Sequence, residues 1–236
     1  MTDYQKLERQ LTEQLRLDRR PISVAFQESA PPQVSQFVGT QPSTCSFWRL
    51  AAEGQVFYTE ASDHYNCPIG SYTHNIPLPI DRVHDLEQVL NLLTTIRYVR
   101  MEEVPTIPRL PRTPGVIIYA PLGETPVDPD VVLFAGRPGK LMLLQEAAIR
   151  AGIAPQVNAL PRPTCMALPA ALTAGIVAST ACIGNRVYTG IDDGDLYMAV
   201  RGTDVTRIAA EAETIVEANM ALLHYHNDRR QSLSTP

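Results

Sequence analysis

Apolar residues recur every three or four positions through 3–17, with Tyr4, Leu7, Leu11 and Leu15 in step and charges between them. That spacing predicts an amphipathic helix. Pro21 stops it, and the alternating run 22–26 predicts a strand. The Pro-rich stretch 28–42 reads as a loop with a short strand at 34–38. Ser43 or Thr44 is a candidate cap for a short helix over 45–52, which Gly54 ends. A strand is expected over 55–59. Residues 62–75 form a polar loop dense in Gly, Pro, His and Cys, the composition expected of a loop that carries function.

The clearest helix spans 82–98, capped by Asp81, with Val83, Leu86, Leu90, Leu93 and Ile96 on one face. Prolines at 105, 108, 111 and 114 predict an extended connector over 103–115. The apolar runs 116–119 and 131–134 have strand length. A helix over 138–151 starts at Pro138 and ends at Gly152. The stretch 157–164 reads as a Pro-bearing approach to a short helix or turn, followed by a strand near 175–179. Runs 187–191 and 196–200 flank an Asp-Asp-Gly-Asp turn, the pattern of a hairpin. Asp204 caps a last helix over about 205–224, and the polar tail reads as mobile. The expected organisation is an N-terminal helix (1–20), a first half (21–102), a connector (103–115), a second half (116–226) and a tail (227–236).

Composition narrows the function. With 44% hydrophobic and 19% charged residues, the 236-residue chain has the balance of a globular protein with a sizeable core. Its formal net charge of −5 argues against binding a phosphate backbone, so no nucleic-acid partner is expected. No apolar run reaches the length of a membrane span and the N-terminus lacks a signal-peptide pattern, so a cytoplasmic protein without a membrane partner is expected. In that reducing compartment the cysteines are not expected to be stable disulfides.

Those cysteines, Cys45, Cys67, Cys165 and Cys182, sit in two similar settings. Each pair begins Thr-Cys, runs through an Ala-rich stretch, a Gly and an apolar strand, and ends in a Cys with Ile-Gly just beyond it. The echo predicts an α+β fold of two pseudo-repeated α/β halves sharing one core, with mixed sheets and flanking helices. All four cysteines would then converge where the halves meet.

The segments Cys45-Ser-Phe-Trp48, Gly54 and His64-Tyr-Asn-Cys67-Pro-Ile-Gly70 resemble the family called domain of unknown function 169. So do the run Gly139-Lys-Leu-Met-Leu-Leu144, Cys165, Gly175 and Cys182-Ile-Gly-Asn-Arg186. The resemblance spans roughly 20–201. It brings no activity, and implies a cysteine-ligated iron–sulfur or other metal site as a shared feature.

Four soft thiolates suit a [4Fe–4S] cluster or a tetrahedral zinc, and Cys67-Pro68 echoes the Cys-Pro of ferredoxin motifs. The absence of a Cys-x-x-Cys knuckle makes zinc the weaker choice. Cys45, Cys67, Cys165 and Cys182 are therefore expected to hold a [4Fe–4S] cluster, with Arg186, Asn66 and His64 around them. His64 and His74 are the candidate proton carriers or ligands, and Arg186 the candidate anion holder. Trp48 and Phe47 are expected in the core, where they would shield a cluster from water. A small-molecule substrate or a redox partner is expected, and a homo-oligomer is compatible with the chain. Two other readings stay open. One is a metal-free binding or regulatory module whose anion pocket uses Arg186 and the helix start at Lys140. The other is a thiol enzyme using Cys67 with His64 or His74.

Overall fold

The computed structural model describes residues 2–154 and 159–234. The fold is α+β, built on one six-stranded sheet in the order β2-β3-β1-β4-β6-β5. The strands are β1 (Ile22–Gln27), β2 (Phe57–Thr59), β3 (Val116–Pro121), β4 (Val131–Gly136), β5 (Ile176–Ser179) and β6 (Leu196–Arg201).

All named strand pairs are antiparallel, where mixed sheets were expected. The misleading signal is the unbroken apolar run of β4, buried along its whole length. Such runs are common in parallel sheets because helices cover both faces. Here helices cover both faces of an antiparallel sheet, so the strand needs no polar side.

Side-chain alternation builds two cores. Val24, Tyr119, Val131, Leu133 and Ala199 point to a face covered by α2 (Ser46–Ala52) and α6 (Ala167–Ala174). Val132, Phe134, Met198 and Val200 point to the opposite face. There they meet α1 (Tyr4–Leu15), α5 (Pro138–Arg150) and the first turns of α8 (Gly202–Ser234). Trp48 and Phe47 are fully buried in the first core, as expected.

Exchanging β1 with β4, β2 with β5 and β3 with β6 turns the strand order into its own reverse. The two triplets meet at the antiparallel β1–β4 seam, where Ile22 faces Leu133 and Val24 faces Val131. Each outer strand also takes one isolated parallel bridge from the segment leading to a Thr-Cys pair, Gln36 to Tyr58 and Leu160 to Ser179. The order accommodates the expected pair of related halves.

Four local expectations change. The loop expected over 62–75 holds the end of a 3-10 turn, Ala61–His64, and a short helix, Pro68–Thr73, started by the proline. Residues expected as a strand over 187–191 lie in α7 (Ile183–Thr189) and its cap. Cys182 is the N-cap and Gly190, with φ 64°, is the left-handed C-cap. A β-branched run resembles a strand, but this one is seven residues held between two caps. The connector over 103–115 begins inside a 3-10 segment, Met101–Thr106. The last helix starts at Gly202 and continues to Ser234, with Leu222, Leu223 and Tyr225 exposed. Part of the expected approach over 157–164 lies outside the described residues, as do the last two residues of the tail.

The expected amphipathic helix forms as α4 (Val83–Thr95), with Arg82 rather than Asp81 at its N-cap and an end before 98, yet none of its residues is buried. Leu90 and Leu93 of its apolar stripe line a cavity instead of a core, together with Val89.

Candidate functional site

The four cysteines stand at equivalent places in the two triplets. Cys45 precedes α2 as its N-cap residue, and Cys165 lies in the 3-10 turn Thr164–Met166 that leads into α6. Cys67 is the N-cap of α3 (Pro68–Thr73), with Pro68 at the first helical position, and Cys182 is the N-cap of α7. All four are free thiols and all four line one cavity of about 720 Å³. Cys45 and Cys165 are buried, whereas Cys67 and Cys182 are partly exposed.

The thiols interact. Cys165 is hydrogen-bonded to Cys45, and that bond, with burial behind it, pushes the Cys165 thiol well above its usual range. Burial, and then the Cys165 charge, push Cys67 upward, while hydrogen bonds from Thr44 and Gly70 act the other way. Repulsion between neighbouring thiolates favours protons on them, and a bound cation would replace those protons. Among the described residues no group of three or more His, Cys, Asp or Glu closes around a single ion.

The Thr-Cys repeat acquires a structural role. The Thr164 hydroxyl accepts the Cys182 N–H at 2.6 Å. Thr44, its counterpart, hydrogen-bonds the Cys67 thiol. In each half, the threonine before the first cysteine thus holds the second. The repeat was visible in the sequence; which atoms the threonines reach was not.

His64 is fully enclosed and does not line the cavity. Its Nδ1 lies 3.2 Å from Thr44 Oγ1 and its Nε2 lies 2.8 Å from Thr59 Oγ1. Thr59 donates to the Ile117 carbonyl, so its oxygen accepts Nε2–H and leaves Nδ1 to accept from Thr44. His74 stacks on His64 with ring centroids 5.9 Å apart. Its Nδ1–H donates to the Gly70 carbonyl at 2.8 Å, and its buried Nε2 has no partner. Burial holds both imidazoles neutral, His74 at about 4 and His64 well below its usual value. Neither ring sits within the cavity wall, so both support the α3 loop from behind.

Gly70 makes that support possible. A Cβ there would lie 2.1 Å from Thr44 Oγ1 and 2.9 Å from Cys67 Sγ.

Two expected anion holders are placed elsewhere. Arg186 donates to the carbonyls of Thr180, Asp192 and Asp195, at 2.6, 2.7 and 3.1 Å. It ties the segment before α7 to the acidic turn and does not line the cavity. Lys140 pairs with Asp18 at 2.6 Å and does not line it either. Asn66 does line the cavity, and its amide oxygen accepts from Arg82 at 2.9 Å. The lining residue that the sequence reading missed is Arg162. It sits in a Pro-rich stretch without periodicity, and nothing local marks it.

A family model for DUF169, described as an uncharacterised ArCR, matches residues 10–211. No curated protein and no solved structure matches the chain. Among the described residues, no helix is long and apolar enough to cross a membrane.

Proposed function

Taking as premise that the chain belongs to the DUF169 family, we propose that it is a cytoplasmic iron–sulfur protein. In this reading Cys45, Cys67, Cys165 and Cys182 hold a [4Fe–4S] cluster. The observation that carries the reading is the meeting of four cysteines, two from each half of the chain, on one cavity. The donor set fits: soft thiolates suit iron–sulfur ligation. A four-iron cluster is wider than one ion, so its ligands stand around a space rather than a point.

Such a cluster, with one cysteine on each iron, would supply one-electron chemistry. The chain's own residues do the rest. The Thr44 backbone, the Gly70 N–H, which lies 3.3 Å from Sγ, and then the Thr44 hydroxyl act against the upward push on Cys67 and favour its thiolate. Phe47, Trp48 and Tyr119 exclude water from the Cys45 side. The cavity admits a small substrate beside the cysteines, or leaves a short path to a redox partner.

The test is iron, zinc and acid-labile sulfide per chain on anaerobically purified protein, with its visible spectrum. About four irons and matching sulfide, lost in any single Cys→Ala variant, is the expected result. Protein free of iron, or iron that survives two of the four substitutions, overturns it.

A second reading, a metal-free small-molecule-binding module, is favoured by the same cavity, whose volume suits a drug-sized ligand. The thiol-enzyme reading has less support. A nucleophilic cysteine needs a lowered pKa, whereas Cys67 is raised, and His64 reaches it through Thr44.

A further inference from the structure

We infer that the cavity beside the cysteines takes an apolar small molecule bearing one carboxylate, with Arg162 as its anchor. The inference deepens the iron–sulfur reading, and rests on it only in calling that molecule a substrate.

The wall is apolar on the side facing α4, where Val89, Leu90 and Leu93 line it. Leu90 and Leu93 belong to the apolar stripe of an amphipathic helix none of whose residues is buried. A helix presents such a stripe to an apolar partner, and here the space in front of it is the cavity. An apolar occupant completes that contact.

Among the described lining residues, two carry an ordinary formal charge, Glu103 and Arg162. They pair at 3.0 Å through Arg162 Nη2. Glu103 has a second cation, Arg100, at 2.7 Å. Glu103 therefore stays compensated when Arg162 takes a further anion. Arg162 has donors to spare: its Nε is buried without a hydrogen-bond partner. An unpaired buried donor on a guanidinium is costly, and a carboxylate is the acceptor that matches the fork. The guanidinium lies over the Tyr98 ring, 4.8 Å from its centroid, which limits its swing. A chain of apolar contacts ending at one fixed cation selects an amphiphile with a single anionic end.

The test uses the full chain, purified anaerobically, with iron and sulfide measured on each sample. Decanoate, decanol and decylamine are titrated separately by calorimetry. Decanoate is expected to bind at least about tenfold more tightly than decanol, with decylamine weakest. Arg162→Met is expected to bring decanoate down to the decanol level without changing iron content. Leu93→Trp, which fills the cavity from a residue outside the core, is expected to abolish binding of all three. Equal binding of decanoate and decanol, or binding that survives Leu93→Trp, overturns the inference. Should Arg162→Met fail to fold, the ligand trio and Leu93→Trp still decide it. Protein without iron that keeps the decanoate preference overturns the cluster reading alone. Iron-loaded protein without that preference overturns this inference alone.

Discussion

The Thr44 hydroxyl lies 3.2 Å from Nδ1 of His64 and also hydrogen-bonds the Cys67 thiol. Threonine has one hydroxyl proton. Its direction is therefore set by which neighbour needs it more, the imidazole nitrogen or the sulfur. With Cys67 as a thiol, the proton goes to His64. With Cys67 as a thiolate, it turns to the sulfur; for His64 then to carry its proton on Nδ1, the Thr59 hydroxyl must turn from the Ile117 carbonyl to Nε2.

That switch makes Thr44→Val informative. A hydrogen bond to a ligand sulfur is one of the levers that set a cluster's potential. In the iron–sulfur reading the variant is expected to keep its iron and to shift its midpoint potential to more negative values. Redox titration followed by visible absorption checks it. Thr44→Ser, which keeps the hydroxyl, is expected to stay near the wild type.

The histidine pair gives the protein an acid sensitivity with a definite sign. His74 has its folded value at about 4, below the 6.5 of an ordinary histidine, because burial disfavours the charged form. The unfolded chain therefore takes up the proton first. The stability owed to the neutral ring is complete above pH 6.5 and falls as the pH drops toward 4. At about 1.4 kcal/mol per pH unit, the loss over that window is on the order of 3 kcal/mol. Urea midpoints across the window should show it, and His74→Gln should flatten the slope.

Gly70→Ala is expected to fail for a steric reason. The new methyl would collide with the fully buried Thr44 hydroxyl and crowd the Cys67 sulfur, which can yield only toward the cavity. The expected result is a loss of about 1–3 kcal/mol of stability, as overpacked cores show, and, in the iron–sulfur reading, loss of iron. Full iron loading in this variant would mean that the α3 loop is not part of the site.

The two kinds of apolar residue should separate cleanly. Leu144 in α5 is fully buried between helices and sheet, so Leu144→Ala is expected to cost about 2–5 kcal/mol. Leu90 in α4 is half-buried and faces the cavity. Leu90→Ala is expected to cost below about 1 kcal/mol, since little buried contact is lost. Chemical denaturation of the pair checks the contrast.

Periodicity placed α1 and α4, because a stripe of large apolar residues at helical spacing leaves few alternatives, and Pro138 and Gly152 bracketed α5. The repeated Thr-Cys pairs pointed to one shared site. Other features depend on contacts far apart in the chain. Arg162 matters because Glu103 and Tyr98 meet it across the cavity. Arg186 looked like an anion holder from its place after Cys182, and its donors are taken by three carbonyls that only the folded turn brings near. The run over 187–191 looked extended because β-branching outweighs two end caps in a short window.

The β1–β4 seam divides the four cysteines evenly, with Cys45 and Cys67 on one side and Cys165 and Cys182 on the other. Neither half inherits a complete site. In the iron–sulfur reading, a chain cut between β3 and β4 would leave two fragments with two thiols each, and the cluster would be retained only when the fragments re-associate. In the iron–sulfur reading, colour is then a direct readout of whether the halves are joined.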